Sequence, residues 1–208
     1  MATFVLTNAR ATMAVVVMLA ATVFSPAALA QADAARAQRI ASGNCSICHG
    51  EQGEWSSELV ARIAGQHAEY IARQLADFKS GKRKNKAMAE AVARLTPDEM
   101  LALGRHFEKM QLPREPAKDV DLAAVGKALY GSGNTRSGIA ACASCHGPDA
   151  MGTAGLPRLA GQLAAYIEAQ LKQFGRRERT NENAAMHAIA PKLTALEIAA
   201  LAHFLAGQ

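Results

Sequence analysis

The chain has 208 residues, 23 Lys and Arg against 18 Asp and Glu, and a formal net charge of +5. That length holds one ordinary domain or two small ones. No stretch beyond the N-terminal leader is long and apolar enough to cross a bilayer as a helix, and an uncleaved leader is the one alternative anchor.

The leader comes first in chain order. Arg10 is the only charge in the first 32 residues, the apolar run 11–24 follows it, and Ser25-Pro26 breaks that run. A run of about 14 residues is short against the ~20 that span a bilayer. Ala28-Leu29-Ala30 places small residues where a signal peptidase reads. The pattern predicts a secretory signal peptide over 1–30, cut before Gln31, and export to the periplasm.

A short helix is predicted next, over 34–41. It leads into Cys45-Ser46-Ile47-Cys48-His49, and Cys142-Ala143-Ser144-Cys145-His146 repeats the form and uses the remaining two of the four cysteines. C-x-x-C-H is the attachment signature of c-type haem. Two thiols at this spacing add to the two vinyl groups of one porphyrin, and the following histidine becomes the proximal iron ligand. Two disulfides are the bland reading in an oxidising compartment, but a redox-active C-x-x-C belongs with a βαβ pattern that is missing here. A zinc site would need both pairs to converge on one ion, and it leaves His49 and His146 unexplained. Four haem propionates balance about the positive excess that remains once Arg10 is removed, so the basic composition implies no nucleic acid partner.

The second half repeats the first. Ile63-Ala64-Gly65-Gln66 and Tyr70-Ile71 match Leu159-Ala160-Gly161-Gln162 and Tyr166-Ile167. The match continues through Gln74-Leu75 with Gln170-Leu171, Arg83 and Asn85 with Arg179 and Asn181, and Glu99 with Glu197, at an offset of 96 to 98 residues. This predicts two units, 31–112 and 121–208, joined by a stiff proline-containing linker over 113–120. Each is helical: 122–130 is the counterpart of the first helix, Ile71, Leu75 and Phe78 share one helix face, and Thr96-Pro97-Asp98-Glu99 and Thr194-Ala195-Leu196-Glu197 open the last helices as capping boxes. Units this small bury too little surface to be robust alone, and an apolar haem would supply much of each core.

A sixth iron ligand should sit at matching places in both halves. Met88 and Met186 do, 39 and 40 residues after His49 and His146. A thioether closes the iron to exogenous ligands and raises its potential, which suits electron transfer. Met100 and Met110 have no partner in the other half and read as core or surface residues. Met151 follows His146 too closely to reach the opposite haem face. His187 has Ala89 as its counterpart, His67 reads as a surface residue, and His106 and His203 read as packing residues. The basic stretches Lys82-Arg83-Lys84 with Lys86, and Arg176-Arg177 with Arg179, are either solvated loops or sites that pair with propionates or steer an acidic redox partner. Trp55 has no counterpart and no assigned role.

With these motifs in place the chain resembles the dihaem class I cytochromes c, the cytochrome c4 family in particular. The resemblance covers essentially the whole mature chain and rests on the paired C-x-x-C-H motifs, the paired A-G-Q-x-x-x-Y-I segments, the approaches to Met88 and Met186, and the L-T pairs before the last helices. It implies an all-α fold of two tandem class I cytochrome c domains related by an approximate twofold axis. It also implies two covalently bound haem c groups with His/Met ligation, and a periplasmic carrier rather than an enzyme. Its redox protein partners would be a respiratory donor such as a quinol–cytochrome c reductase and an acceptor such as a terminal oxidase, and such carriers are often loosely bound at the membrane. The alternative within the resemblance is the cytochrome subunit of a flavocytochrome-type sulfide dehydrogenase. A dihaem peroxidase is a weaker rival, because matching methionines leave neither iron open. One departure stands out. Class I cytochromes place a proline in the loop that gives the proximal histidine a carbonyl acceptor. Pro157 fills that position in the second half and Ala61 in the first. The expectation is a looser acceptor for His49 and a higher potential for haem 1.

Overall fold

The computed structural model describes residues 26–54, 57–111, 116–182 and 184–208, with side chains from residue 31 on. The leader up to residue 25, Trp55 and the start of the expected linker, 113–115, lie outside the described residues.

The first half contains α1 (Pro26–Ile40), α2 (Ser46–His49), α3 (Ala68–Ser80), α4 (Lys86–Val92) and α5 (Pro97–Glu108). The second contains α6 (Val120–Ser132), α7 (Ala143–His146), α8 (Ala164–Gly175), α9 (Ala184–Ile189) and α10 (Ala195–Ala206). The order is the same twice. Among the described residues the only extended pairings are two isolated bridges, Asn134 with Ile139 and Thr153 with Leu156. Among the described residues the fold is all-α, one helical unit repeated twice.

The first helix is longer than its pattern predicted. Its alanine-rich sequence sustains helix from Pro26, and the chain continues through a π-helical turn, Ala41–Cys45, straight into α2. The second half interposes ten residues between α6 and α7, opened by Gly133 at φ 69°. Both predicted capping boxes form: Thr96 and Thr194 each accept from the N–H three residues on, and Glu99 and Glu197 return the bond.

Two separate hydrophobic clusters follow. Ala37, Ile71, Phe78, Val92, Leu103 and Phe107 build the first, around the packing of α1 and α3 on α5. Leu129, Tyr130, Ile167, Leu201, Phe204 and Leu205 build the second, around α6 and α8 on α10. The α6–α10 crossing is close because Gly126 has no side chain. A Cβ there would lie 2.0 Å from the Ala200 carbonyl oxygen.

The halves meet through hydrogen bonds rather than a third apolar core, and the bonds come in twofold pairs. Arg62 N–H donates to Gln162 Oε1 at 2.9 Å while Gln162 Nε2 donates to the Arg62 carbonyl at 2.8 Å. Arg158 N–H donates to Gln66 Oε1 at 2.9 Å and Gln66 Nε2 to the Arg158 carbonyl at 2.9 Å. Farther along, Arg83 reaches Tyr166 Oη at 2.8 Å and Gln170 at 2.9 Å, and Arg179 reaches Tyr70 Oη at 3.0 Å and Gln74 at 3.2 Å. This mutual exchange is the approximate twofold relation in atomic form.

Candidate functional site: two thiol–imidazole motifs

Each C-x-x-C-H motif ends on a single turn of helix, α2 or α7, so the two sulfurs and the imidazole project from one short, stiff segment. Cys45 and Cys142 are half-buried and pack against the first and second hydrophobic clusters, while Cys48 and Cys145 are exposed. None of the four is in a disulfide. Burial pushes the Cys142 thiol up to about 11 and raises that of Cys45. Among the described residues no group of three or more His, Cys, Asp and Glu side chains gathers to hold a metal ion, so the two cysteine pairs do not converge as a zinc site would require.

The imidazoles are oriented from behind. His49 Nδ1 lies 2.9 Å from the Ala61 carbonyl oxygen, and His146 Nδ1 lies 3.3 Å from that of Pro157. A carbonyl only accepts, so Nδ1 carries the proton in each case and Nε2 keeps its lone pair for a metal. Burial lowers the pKa of both rings, partly offset by these carbonyls, and thus favours the neutral form a ligand needs. The expected loosening at Ala61 is not found. The alanine carbonyl sits closer to its histidine than the proline carbonyl does, and the Arg62 N–H of the same peptide group is held from the far side by Gln162.

The methionines occupy equivalent elements. Met88 lies on α4, half-buried and packed against the first cluster, its backbone N–H bonded to Asn85 Oδ1 at 3.0 Å. Met186 lies half-buried on α9. The competing residues separate from them: Met100 is 3% exposed in the first core, and Met151 is exposed on a loop. His187 has a buried Nδ1 and meets Phe174 edge-on at 5.8 Å. His67 is not the free surface residue its pattern suggested. Its Nε2 lies 2.7 Å from the Met151 carbonyl of the other half.

The basic stretches also divide. Lys82, Lys84 and Lys86 are exposed, while Arg179 is 5% exposed and Arg83 half-buried. The guanidinium of Arg83 stacks at 4.6 Å over Phe78 and that of Arg179 at 4.5 Å over Phe174. The two arginines, with Tyr70, Gln74, Tyr166 and Gln170, form a polar seam between the halves that sequence reading missed as a group. Its signal was present: polar residues repeated on otherwise apolar helix faces, in both halves at one offset.

Two equivalent all-α units, each with a thiol pair and an imidazole whose Nε2 is left for a metal, define a dihaem c-type cytochrome. The family model described as Cytochrome c matches residues 123–208. Cytochrome c4 of Thiocapsa roseopersicina is 40% identical over 174 residues, 80% of this chain and 88% of that protein. The thiosulfate dehydrogenase electron acceptor of Thiomonas intermedia (strain K12) is 35% identical over 170 residues, 79% of this chain and 78% of its own. The crystal structure of reduced recombinant cytochrome c4 from Pseudomonas stutzeri superposes with a TM-score of 0.77 at 30% identity, covering 86% of this chain and 97% of that one. The chain belongs to the cytochrome c4 family. It is accordingly an electron-transfer protein with two covalently bound haem c groups, working with redox partners and not as an enzyme.

Proposed function

We propose that the chain is a periplasmic one-electron carrier whose two sites are ligated by His49 with Met88 and by His146 with Met186. Cys45 and Cys48 anchor the first haem, Cys142 and Cys145 the second. Residues 1–30 are removed on export, and 31–112 and 121–208 are the two domains, joined by 113–120. One observation carries the reading: in both halves a metal-ready imidazole is matched by a half-buried methionine on the equivalent short helix.

Bound haem c supplies a one-electron Fe(III)/Fe(II) couple. The chain's own work is to fix the imidazoles through backbone carbonyls and keep them neutral by burial, and Met88 and Met186 would each offer a thioether to the iron. Electrons pass from a donor such as a quinol–cytochrome c reductase toward a terminal oxidase, and the exposed Lys82, Lys84 and Lys86 steer an acidic partner to the first half. A second reading, acceptor for a thiosulfate dehydrogenase, is favoured by the similarity to the Thiomonas protein over most of the chain.

Redox titration of the purified holoprotein followed by optical spectra tests the ligation. Two low-spin haems with a methionine–iron band of matching intensity support it, and loss of that band from either half overturns it. Partner choice is read by offering the oxidised protein quinol with its membrane reductase, or thiosulfate with thiosulfate dehydrogenase, and comparing the reduction rates.

A further inference from the structure

The carbonyl behind each proximal histidine is one end of a peptide group whose other end is also bonded. Ala61 C=O and Arg62 N–H belong to the same planar amide, as do Pro157 C=O and Arg158 N–H. The first amide accepts from His49 Nδ1 at 2.9 Å and donates through Arg62 N–H to Gln162 Oε1 at 2.9 Å. The second accepts from His146 Nδ1 at 3.3 Å and donates through Arg158 N–H to Gln66 Oε1 at 2.9 Å. Each relay therefore starts on an imidazole of one half and ends on a glutamine of the other. The two relays cross.

Both glutamines are buried, and each is pinned by a second bond from its Nε2 to the carbonyl of the arginine it accepts from. Neither can rotate its oxygen away without breaking both bonds. An amide whose N–H is engaged by an acceptor becomes a better acceptor at its own oxygen, because the two ends share one delocalised system. A better acceptor draws the Nδ1 proton, makes the imidazole more electron-rich and favours the oxidised metal.

We propose that Gln162 is a positioning and tuning residue for His49, and Gln66 for His146, so that each half sets the basicity of the other half's iron ligand. This rests on His49 and His146 being the proximal ligands. A purely structural role would disturb the half that carries the substituted glutamine, or both halves alike. Crossed tuning instead moves the site in the half that was left intact.

The test uses the holoprotein with Gln162→Met, Gln162→Glu, Gln66→Met and Gln66→Glu, titrated spectroelectrochemically. The two waves are assigned by Met88→His and Met186→His, each of which displaces one of them. Gln162→Met removes the acceptor at constant shape and is expected to raise the first-half wave by two- to fourfold in the reduction equilibrium, or ~18 to ~36 mV at 59 mV per tenfold for one electron. The second-half wave stays where it was. Gln162→Glu strengthens the acceptor and moves the first-half wave the other way. The Gln66 variants do the same to the second-half wave. Movement of the wave of the substituted half, equal movement of both waves, or movement of neither overturns the proposal. Where a methionine variant fails to fold, the Nδ1–H proton resonances in the milder Gln162→Asn protein decide. A shift of the His49 signal alone supports the relay, and any other pattern overturns it. In the unsubstituted protein, hyperfine-shifted ring protons of His49 and His146 verify the ligands separately. Their absence defeats the ligand assignment, whereas their presence with unmoved waves defeats only the crossed tuning.

Discussion

The approaches to the two methionine helices share a frame and differ in charge at their aligned positions, the second keeping its own exposed Arg176 and Arg177 just upstream. Lys82-Arg83-Lys84-Asn85-Lys86 stands in the first half where Glu178-Arg179-Thr180-Asn181-Glu182 stands in the second. The inward arginines do the same work in both, crossing to the partner half's tyrosine and glutamine. The remaining positions have diverged. The three lysines are exposed, whereas Glu182 turns into the interface and takes bonds from Arg179 at 2.8 Å, Gln74 at 3.1 Å and Arg73 at 3.3 Å. Arg73 and Glu182 have Ala169 and Lys86 at their symmetric positions, so this ion pair has no twin. A duplicated scaffold stays symmetric where its side chains interlock and is free to polarise where they do not. The three exposed lysines of the first half are expected to favour an electron there, because positive charge beside a redox site stabilises its reduced state.

The comparison breaks outright if one half loses its haem. Cys45→Ser with Cys48→Ser should halve the haem content by pyridine haemochrome assay and leave the second half's spectrum intact. Next in size is Gly126→Ala. A methyl driven against the Ala200 carbonyl should cost about 1–3 kcal/mol in chemical unfolding, and the loss should fall on the second half. Glu182→Gln should raise the potential of the second-half site and narrow the gap between the halves in a potentiometric titration. It also takes a carboxylate bonded to the buried Arg179 guanidinium, so thermal unfolding should report a stability loss as well. Thr96→Ala and Thr194→Ala should each cost about 1 kcal/mol by denaturant titration. The same caps give a pH signature. The Thr96 backbone holds Glu99 below its ordinary 4.5, and the Thr194 backbone does so for Glu197. A depressed carboxylate stabilises above its unfolded value, so this part of the stability is present at neutral pH and is lost as pH falls below 4.5. The smallest effect is expected of Ala61→Pro. The carbonyl it would fix already lies 2.9 Å from His49, so both potentials should stay nearly unchanged.

Much of this was legible in the sequence, for definite reasons. The haem motifs are covalent chemistry at fixed spacing, and the capping boxes are local bonds between residues three apart, so neither depends on the rest of the fold. The repeat carried the methionines by position. The crossed network was not legible, although Gln66, Tyr70, Gln74 and Arg83 were noticed with their counterparts. They served as markers of duplication, because the distance between Arg62 and Gln162 in the chain hides a contact that only the twofold arrangement creates. The alanine at position 61 misled for a related reason. Proline fixes a loop through its own ring, but this loop is fixed from outside by a glutamine one hundred residues away.

The crossed pairs also describe an older state of the molecule. Arg62 with Gln162 and Arg158 with Gln66 are residue i against j and j against i, the form of a self-complementary isologous dimer. A single-haem ancestor with this surface would have associated with its own copy through the same four bonds, two at each clamp. Fusing two copies through a short connector replaces a concentration-dependent encounter by an intramolecular one, at an effective concentration in the millimolar range for a short linker. Joining the two halves in one chain would make permanent an assembly that such an interface already specifies, leaving either copy free to drift in charge without losing its partner.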